Sequence, residues 1–424
     1  MATCPRLRPT VDLARVEANG ARLVCLFDRQ DPPSGQVVVS EGGLLLASLL
    51  DGERSVQAVR AAFALRTGAV VTEQQIVEFV RQLDEANLLD SERYREHVRQ
   101  SIEAFRSSPV RLAAHAGRAY PADPDELCAF LDSRYTAEGG PGAPPSPLGG
   151  PSPRALIAPH IDLHRGGHSY AWGYRELAER QPAELYVLLG TCHLPMATPF
   201  AATAKPYETP LGPIPTDPAF LERLARRAPH PLYVDEYCHR AEHSLEFQAL
   251  YLRYLGHAGD STSARVIPIL CVPPAELPGG ATPSASPAVH EMLAALRETI
   301  AEDGRRICLI AGADFAHVGP QFGDPRLVDA AFAEQVRLAD LAMLEVAARG
   351  DADGFYRQVV DEPPGLGMAG EAGAVGGPRR VCGLAPMYAL LWLLGSAQGR
   401  VLHYDQWIDP AGLGSVTFGC VLFP

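Results

Sequence analysis

Imidazole, thiol and carboxylate groups recur in this chain at the ends of short apolar runs. Pro159-His160 ends the run ALIAPHI, with Asp162 and His164 close behind; Gly190-Thr191-Cys192-His193 follows ELYVLL; and Asp314-Phe315-Ala316-His317 follows RICLIAGA. Glu242-His243 opens the helical stretch EHSLEFQALYLRYL, and Val381-Cys382-Gly383 opens LAPMYALLWLL. Two imidazoles with one anionic ligand bind a first-row metal and leave coordination positions free, a catalytic stoichiometry. A nearby carboxylate and a further histidine would orient those ligands or move protons. Any one of these histidines alone is more often a satisfied polar residue than a ligand; their convergence is what points to a site.

The elements that must position them follow from the pattern around them. From Arg154 onward, apolar strand candidates (ALIAPHI, ELYVLLG, RVIPILCV, RICLIAGADF) alternate with helical stretches, as in an α/β sheet covered by helices. Each run reads as a buried strand that reaches polar residues at its C-terminal end, the edge where open α/β folds bind ligands. Segments 137–153, 273–287 and 361–378 are rich in Gly, Pro, Ala or Ser and read as loops. The string Gly365-x-Gly367-x-x-Gly370 matches the dinucleotide fingerprint, but it follows EPP and no strand, so a flap over the site is the better reading.

With 424 residues the chain exceeds what one core usually supports, and a small domain at 1–108 beside a large one at 109–424 is expected. In the first, RLVCLFD and QVVVS read as strands joined by DRQDPPSG, with helices after them. In VTEQQIVEFVRQLDEANLL, Thr72 and Gln75 fit a capping box, and Ile76, Phe79, Val80 and Leu83 form one apolar face. This stretch is similar in pattern to the winged-helix-like PqqD fold, which would present a helix and a sheet edge to a peptide. A structural or dimerising appendage is the plainer alternative, and the absence of a basic stripe argues against DNA.

A net charge of −13 disfavours binding to nucleic acid or an anionic membrane, and no apolar run is long enough to span a bilayer. The first residues lack the apolar stretch of a secretory signal, so the expected location is the cytoplasm. Nine scattered cysteines without a CxxC pair argue against a disulfide framework.

From His115 to the C-terminus the chain resembles the Memo family, the B protein of AmmeMemoRadiSam clusters. The resemblance rests on HAGRAYPADPDEL, ALIAPH, LLGTCH, TPLGPIPTD, EHSLEFQALYL, GADFAHVG and VCGLAPMYALL, in that order. It implies a fold similar to class III extradiol dioxygenases, with a Cys in place of their carboxylate ligand. Carried onto this chain, it implies metal ligands at His160, His193 and Cys382, and an acid-base role for His317 beside Asp314. It also implies that Glu242 and His243 line the pocket. Fe(II) is the expected metal, with copper second; the reaction would be an oxidation of an unknown small molecule or peptide. Radical SAM and AMMECR1-type proteins are the partners that the family context implies.

The chain departs from the usual family pattern after APH, where IDLHRGG adds Asp162, His164 and Arg165, and at Cys192 beside His193. These make Asp162, His164 and Cys192 further pocket candidates, a spectator thiol being the blander reading of Cys192. Two other functions use the same residues. One is a metal-free thiol enzyme with Cys382 as nucleophile and His317 or His193 as base. The other is a binding protein that keeps the pocket without turnover.

Overall fold

The computed structural model describes the chain except residues 1–2, 19, 29–34, 259–263, 275–276, 278–279, 362–367 and 369–375. Gly365, Gly367 and Gly370, and with them the fingerprint and flap readings, lie outside the described residues, as does most of the DRQDPPSG turn. The chain divides into two compact units, Met1–Ser108 and Pro109–Pro424.

The first unit holds β1 (Arg6–Leu7), β2 (Val11–Ala18), β3 (Ala21–Asp28), β4 (Val37–Val39), α1 (Glu41–Ser48), α2 (Val56–Thr67), α3 (Glu73–Glu85), β5 (Leu89–Asp90) and α4 (Glu92–Ser107). Strands β2, β3 and β4 form an antiparallel sheet, and β1 pairs with β5. The sequence reading finds β3 and β4 but not β2. That edge strand, VDLARVEA, carries charges at Asp12, Arg15 and Glu17, out of step with one face, and buries little, so it lacks the apolar rhythm that marks a strand. Helix α3 starts at the Thr72–Gln75 capping box and buries Ile76 and Leu83 completely.

The second unit runs α5 (Pro124–Thr136), β6 (Ala155–Ala158), α6 (Leu163–Ala178), β7 (Leu185–Thr191), β8 (Phe200–Ala202), α7 (Pro218–Arg227) and α8 (His243–Ala258). It continues with β9 (Arg265–Cys271), α9 (Pro287–Asp303), β10 (Ile307–Gly312), β11 (His317–Val318), α10 (Ala330–Ala348), α11 (Ala352–Val360), α12 (Leu384–Leu394), β12 (Arg400–Ile408) and β13 (Ser415–Phe423). The sheet order is β11-β13-β6-β10-β7-β9-β8, with β12 also on β13. The four sequence-read strands β6, β10, β7 and β9 are its parallel centre, and β13 and β8 flank it antiparallel.

Both faces are covered, which is why the central strands read as unbroken apolar runs. Along β6, Ala155 and Ile157 pack with α7, α9, α11 and α12, whereas Leu156 and Ala158 pack with α5, α6 and α8. A fully buried ion pair, Arg111 with Glu246, ties the start of the unit to α8. Arg111 also donates to His239 O, Leu112 O and Glu242 O, and Glu246 accepts from Ala114 N, His115 N and Tyr120. With its partners satisfied the pair is tolerable; removing one side would strand a buried charge, at about 3–5 kcal/mol.

Beside it, His239 is completely buried, with Nε2 against Ala201 O at 3.0 Å and Nδ1 against the Tyr207 hydroxyl at 2.8 Å. A carbonyl takes only an N–H, so Nε2 carries the proton and Nδ1 accepts from Tyr207. Burial pushes this imidazole down to about 3. Above the unfolded value of about 6.5 it is neutral in both states and its full contribution is present. As pH falls toward 3 the unfolded chain takes a proton that the fold refuses, and stability drops by up to about 1.4 kcal/mol per pH unit from this residue. Denaturant unfolding of wild type and His239→Gln between pH 6 and 4 should give a slope shallower by about that amount in the variant. Equal slopes would contradict the neutral buried state.

Candidate metal and catalytic centre

Register brings the chemistry together. Gly312 of β10 lies between Ala158 of β6 and Gly190 of β7, so the residues just beyond these positions leave the sheet side by side. They are His160, Asp314 and His193. Helix α8 begins at His243 over the same edge, and Cys382 lies two residues before α12. The close approach requires glycine: a Cβ at Gly190 would meet Leu245 and Ser244 at 2.6 Å, and one at Gly312 would meet Ser244 O at 2.4 Å.

His160 is 2% exposed; its backbone N donates to Asp314 Oδ1 at 2.8 Å, and Nδ1 faces Gly312 O at 3.0 Å. Nδ1 therefore carries the proton, and the Nε2 lone pair is turned toward Cys382 Sγ, 3.2 Å away. Asp314 Oδ2 is 3.6 Å from the same nitrogen. Two donors on one ion, at about 2.1 Å for nitrogen and 2.3 Å for sulfur, stand about 3.1–3.6 Å apart for ordinary angles. The His160–Cys382 spacing fits that range.

His193 is held at two points by one carboxylate, which takes its backbone N–H (3.0 Å) and its Nδ1 (2.9 Å): that of Glu242. Nε2 of His193 is thereby left as the donor atom. Glu242 also accepts from Ser244 N at 2.9 Å, and Ser244 Oγ donates to Thr191 O at 2.8 Å, closing α8 onto the end of β7. The His243 ring lies nearly parallel to that of His193, centroids 4.8 Å apart, and both stand almost perpendicular to His160. Donor atoms of His160, His193 and His243 lie within 4.8 Å of one another, so these three also form a potential ligand group.

The electrostatics follow from this packing. Glu242 is buried, yet the His193 and His243 imidazoles and the Ser244 amide hold its carboxyl well below the usual range. Burial would depress His193, but Glu242 lifts it above its ordinary value. Burial depresses His243 well below normal despite Glu242. The Cys382 thiol is held well above its usual value by burial and then by Asp314. A metal-free Cys382 is thus a neutral thiol, the opposite of what a thiol nucleophile needs.

The other sequence-read candidates divide. His317 sits on β11, its Nδ1 donating to Phe315 O at 3.1 Å, and burial pushes it down to about 4 although Asp314 pulls the other way. Its ring packs edge-on against Phe322, with centroids 5.1 Å apart, and it stands three residues after Asp314. Asp162 is taken up as the cap of α6, accepting from His164 N and Arg165 N and pairing with the Arg165 guanidinium. His164 is exposed and packs on Phe130, with centroids 5.0 Å apart. Their hydrogen bonds, ion pair and ring contact lie within the first turn of α6 and with Phe130, not with the cluster. Cys192 is a buried free thiol whose Sγ donates to Leu194 O at 3.3 Å.

One residue the sequence reading passes over is His115, in the HAGR segment, whose ring meets His243 edge-on at 5.8 Å. The segment's resemblance was the available signal. A second histidine group, His168, His403 and Asp405, had no sequence signal.

Fold and site together define an α/β protein with a histidine, cysteine and carboxylate cluster at the C-terminal edge of its parallel strands. A family model described as Memo-like protein matches residues 111–417, and the chain belongs to that family. A MEMO1 family protein of Aquifex aeolicus is 30% identical over 286 residues, 68% of this chain and 70% of that protein. One from Thermus thermophilus is 28% identical over 370 residues, 87% of this chain and 99% of its own. One from Pyrobaculum arsenaticum is 28% identical over 314 residues, 73% and 96% respectively.

Gly383 donates its N–H to Asp314 O at 3.0 Å, and a Cβ there would lie 2.5 Å from Ala313 Cβ and 2.6 Å from that oxygen. Gly383→Ala should therefore cost about 1–3 kcal/mol in denaturant unfolding, through displaced backbone. Unchanged stability would contradict the tight seat of Cys382 on the β10 edge.

Proposed function

We propose that this Memo-family chain is a non-haem metal-dependent oxidoreductase, in which His160, His193 and Cys382 hold Fe(II), or in second place copper. The observation that carries the reading is the His160 Nε2 lone pair facing Cys382 Sγ at 3.2 Å, with His193 Nε2 left free by Glu242. An ion so held would supply Lewis-acid and one-electron redox chemistry. The protein's own groups do the rest. Asp314 fixes the His160 backbone, and Glu242 fixes the His193 ring as an outer partner that raises ligand basicity. His317, with Nδ1 committed to the Phe315 carbonyl, keeps the Nε2 lone pair for proton exchange with substrate. His243 lines the approach to the cluster and is 32% exposed, with His193 at 40%.

The likeness to class III extradiol dioxygenases is part of the same proposal and gives the reaction its class, with an unknown small molecule or peptide as substrate. The first unit, an antiparallel sheet with four helices, is read as a PqqD-like, winged-helix-like module for peptide binding. A cytoplasmic setting and radical SAM or AMMECR1-type partners complete the reading; among the described residues no helix is long and apolar enough to cross a membrane.

A second reading has His160, His193 and His243 as ligands, favoured by the mutual reach of their donor atoms. Anaerobic purification with metal analysis separates the two. Wild type and His243→Ala should carry about one equivalent of iron or copper, whereas His160→Ala, His193→Ala and Cys382→Ala should carry almost none of either. Iron or copper retained in Cys382→Ala and lost in His243→Ala would favour the three-histidine site; negligible iron and copper in all five proteins would end the proposal for this centre.

A further inference from the structure

Away from the strand ends, α6 packs against β12, an outer strand that pairs with β13. Here His168 Nε2 lies 2.6 Å from Asp405 Oδ2, and the His168 and His403 rings meet edge-on with centroids 5.5 Å apart. Donor atoms of His168, His403 and Asp405 all fall within 4.8 Å of one another. We propose that these three residues form a second metal site, for a divalent ion of the zinc class, independent of the His160 cluster.

Several features are those of a built site. His403 and Asp405 are two apart on a strand and so share a face, while Tyr404 and Gln406 turn the other way to bond Asp340 and Ala333 on α10. The pairing with β13 slips between Val401 and His403, a bulge at Leu402 that sets the phase of the residues beyond it. Bulges of this kind re-aim side chains next to functional sites. On α6, His168 and Trp172 are one turn apart, so the indole comes to lie flat against His403, with an interplanar angle of 13°. Phe418 closes another side against His168.

The outer partners are those a ligating histidine uses. His403 Nδ1 lies 3.1 Å from the Oγ of Ser169, a residue with no exposed surface. With Nδ1 engaged by this hydroxyl, Nε2 is the ring atom left to face an ion. Burial and the neighbouring His168 push His403 down to about 4, so it is neutral and able to bind at physiological pH. The Asp405 carboxylate is lowered, against its burial, by the His168 hydrogen bond, so it is charged. On binding, the cation takes the place of the His168–Asp405 hydrogen bond, with the His168 ring in its Nδ1–H tautomer so that the Nε2 lone pair faces the ion. Two imidazoles and one carboxylate leave one tetrahedral position for water or an anion. The group is accessible, His168 being 15% and Asp405 43% exposed.

The test is a calorimetric Zn²⁺ titration of the full-length, chelator-stripped protein, compared with His403→Ala and His168→Gln. Each variant should bind one equivalent less than wild type while keeping its metal-free circular dichroism. Ser169→Ala should keep the stoichiometry with affinity weakened about ten- to a hundredfold. Crystals soaked in Zn²⁺ should carry an anomalous peak between His168 and Asp405. Equal stoichiometry in wild type and both variants, or an anomalous map empty at that position, would overturn the site. None of these readouts depends on metal binding at His160, His193 and Cys382.

Discussion

The carboxylate of Glu242 is the group on which the centre depends. It is 5% exposed, and a buried charge survives only where hydrogen bonds replace water. This one receives the His193 amide, the His193 ring and the Ser244 amide. The end of a central strand, the first turn of α8 and a candidate metal ligand are thereby fixed by a single residue. Its own backbone carbonyl is held in turn by Arg111, whose charge is answered by Glu246 one turn into α8. The site is therefore braced by two buried carboxylates on one short segment, EHSLE, each serving a different wall.

That bracing explains the glycines. Ser244 and Leu245 can follow Glu242 onto the sheet only if the strands beneath have no side chain at Gly190 and Gly312. Register then does the rest: with Ala158, Gly312 and Gly190 side by side, three neighbouring strands release His160, Asp314 and His193 within a few ångströms. Cys382 comes from a fourth direction, anchored by the Gly383 amide on Asp314 O. Preorganisation of this kind, with ligands set by strand ends and oriented by partners already satisfied, is what a metal centre requires before any ion binds.

Much of this was legible in the sequence, for a physical reason. Strands buried on both faces must be apolar throughout, so β6, β7, β9 and β10 stand out, and the polar residues just after β6, β7 and β10 form the site. The parts that escaped are those whose partners lie on half-buried or distant elements. Strand β2 is an edge whose outer face is charged. Strand β12 is half-buried along its length, and its His403 and Asp405 meet a helix residue 237 positions away in the case of the His168–Asp405 contact. Asp162 and His164 show the converse. Their position after His160 reads as pocket chemistry, but the chain turns into α6 at that point and spends Asp162 on the cap.

The central claim is that a thiolate from Cys382 completes a ligand set with His160 and His193. The most direct test is X-ray absorption at the metal edge of anaerobically loaded wild type and Cys382→Ser. The account predicts a sulfur scatterer in the first coordination shell of the wild type, alongside nitrogen, that disappears in the variant. A wild-type shell made of nitrogen and oxygen alone would contradict it.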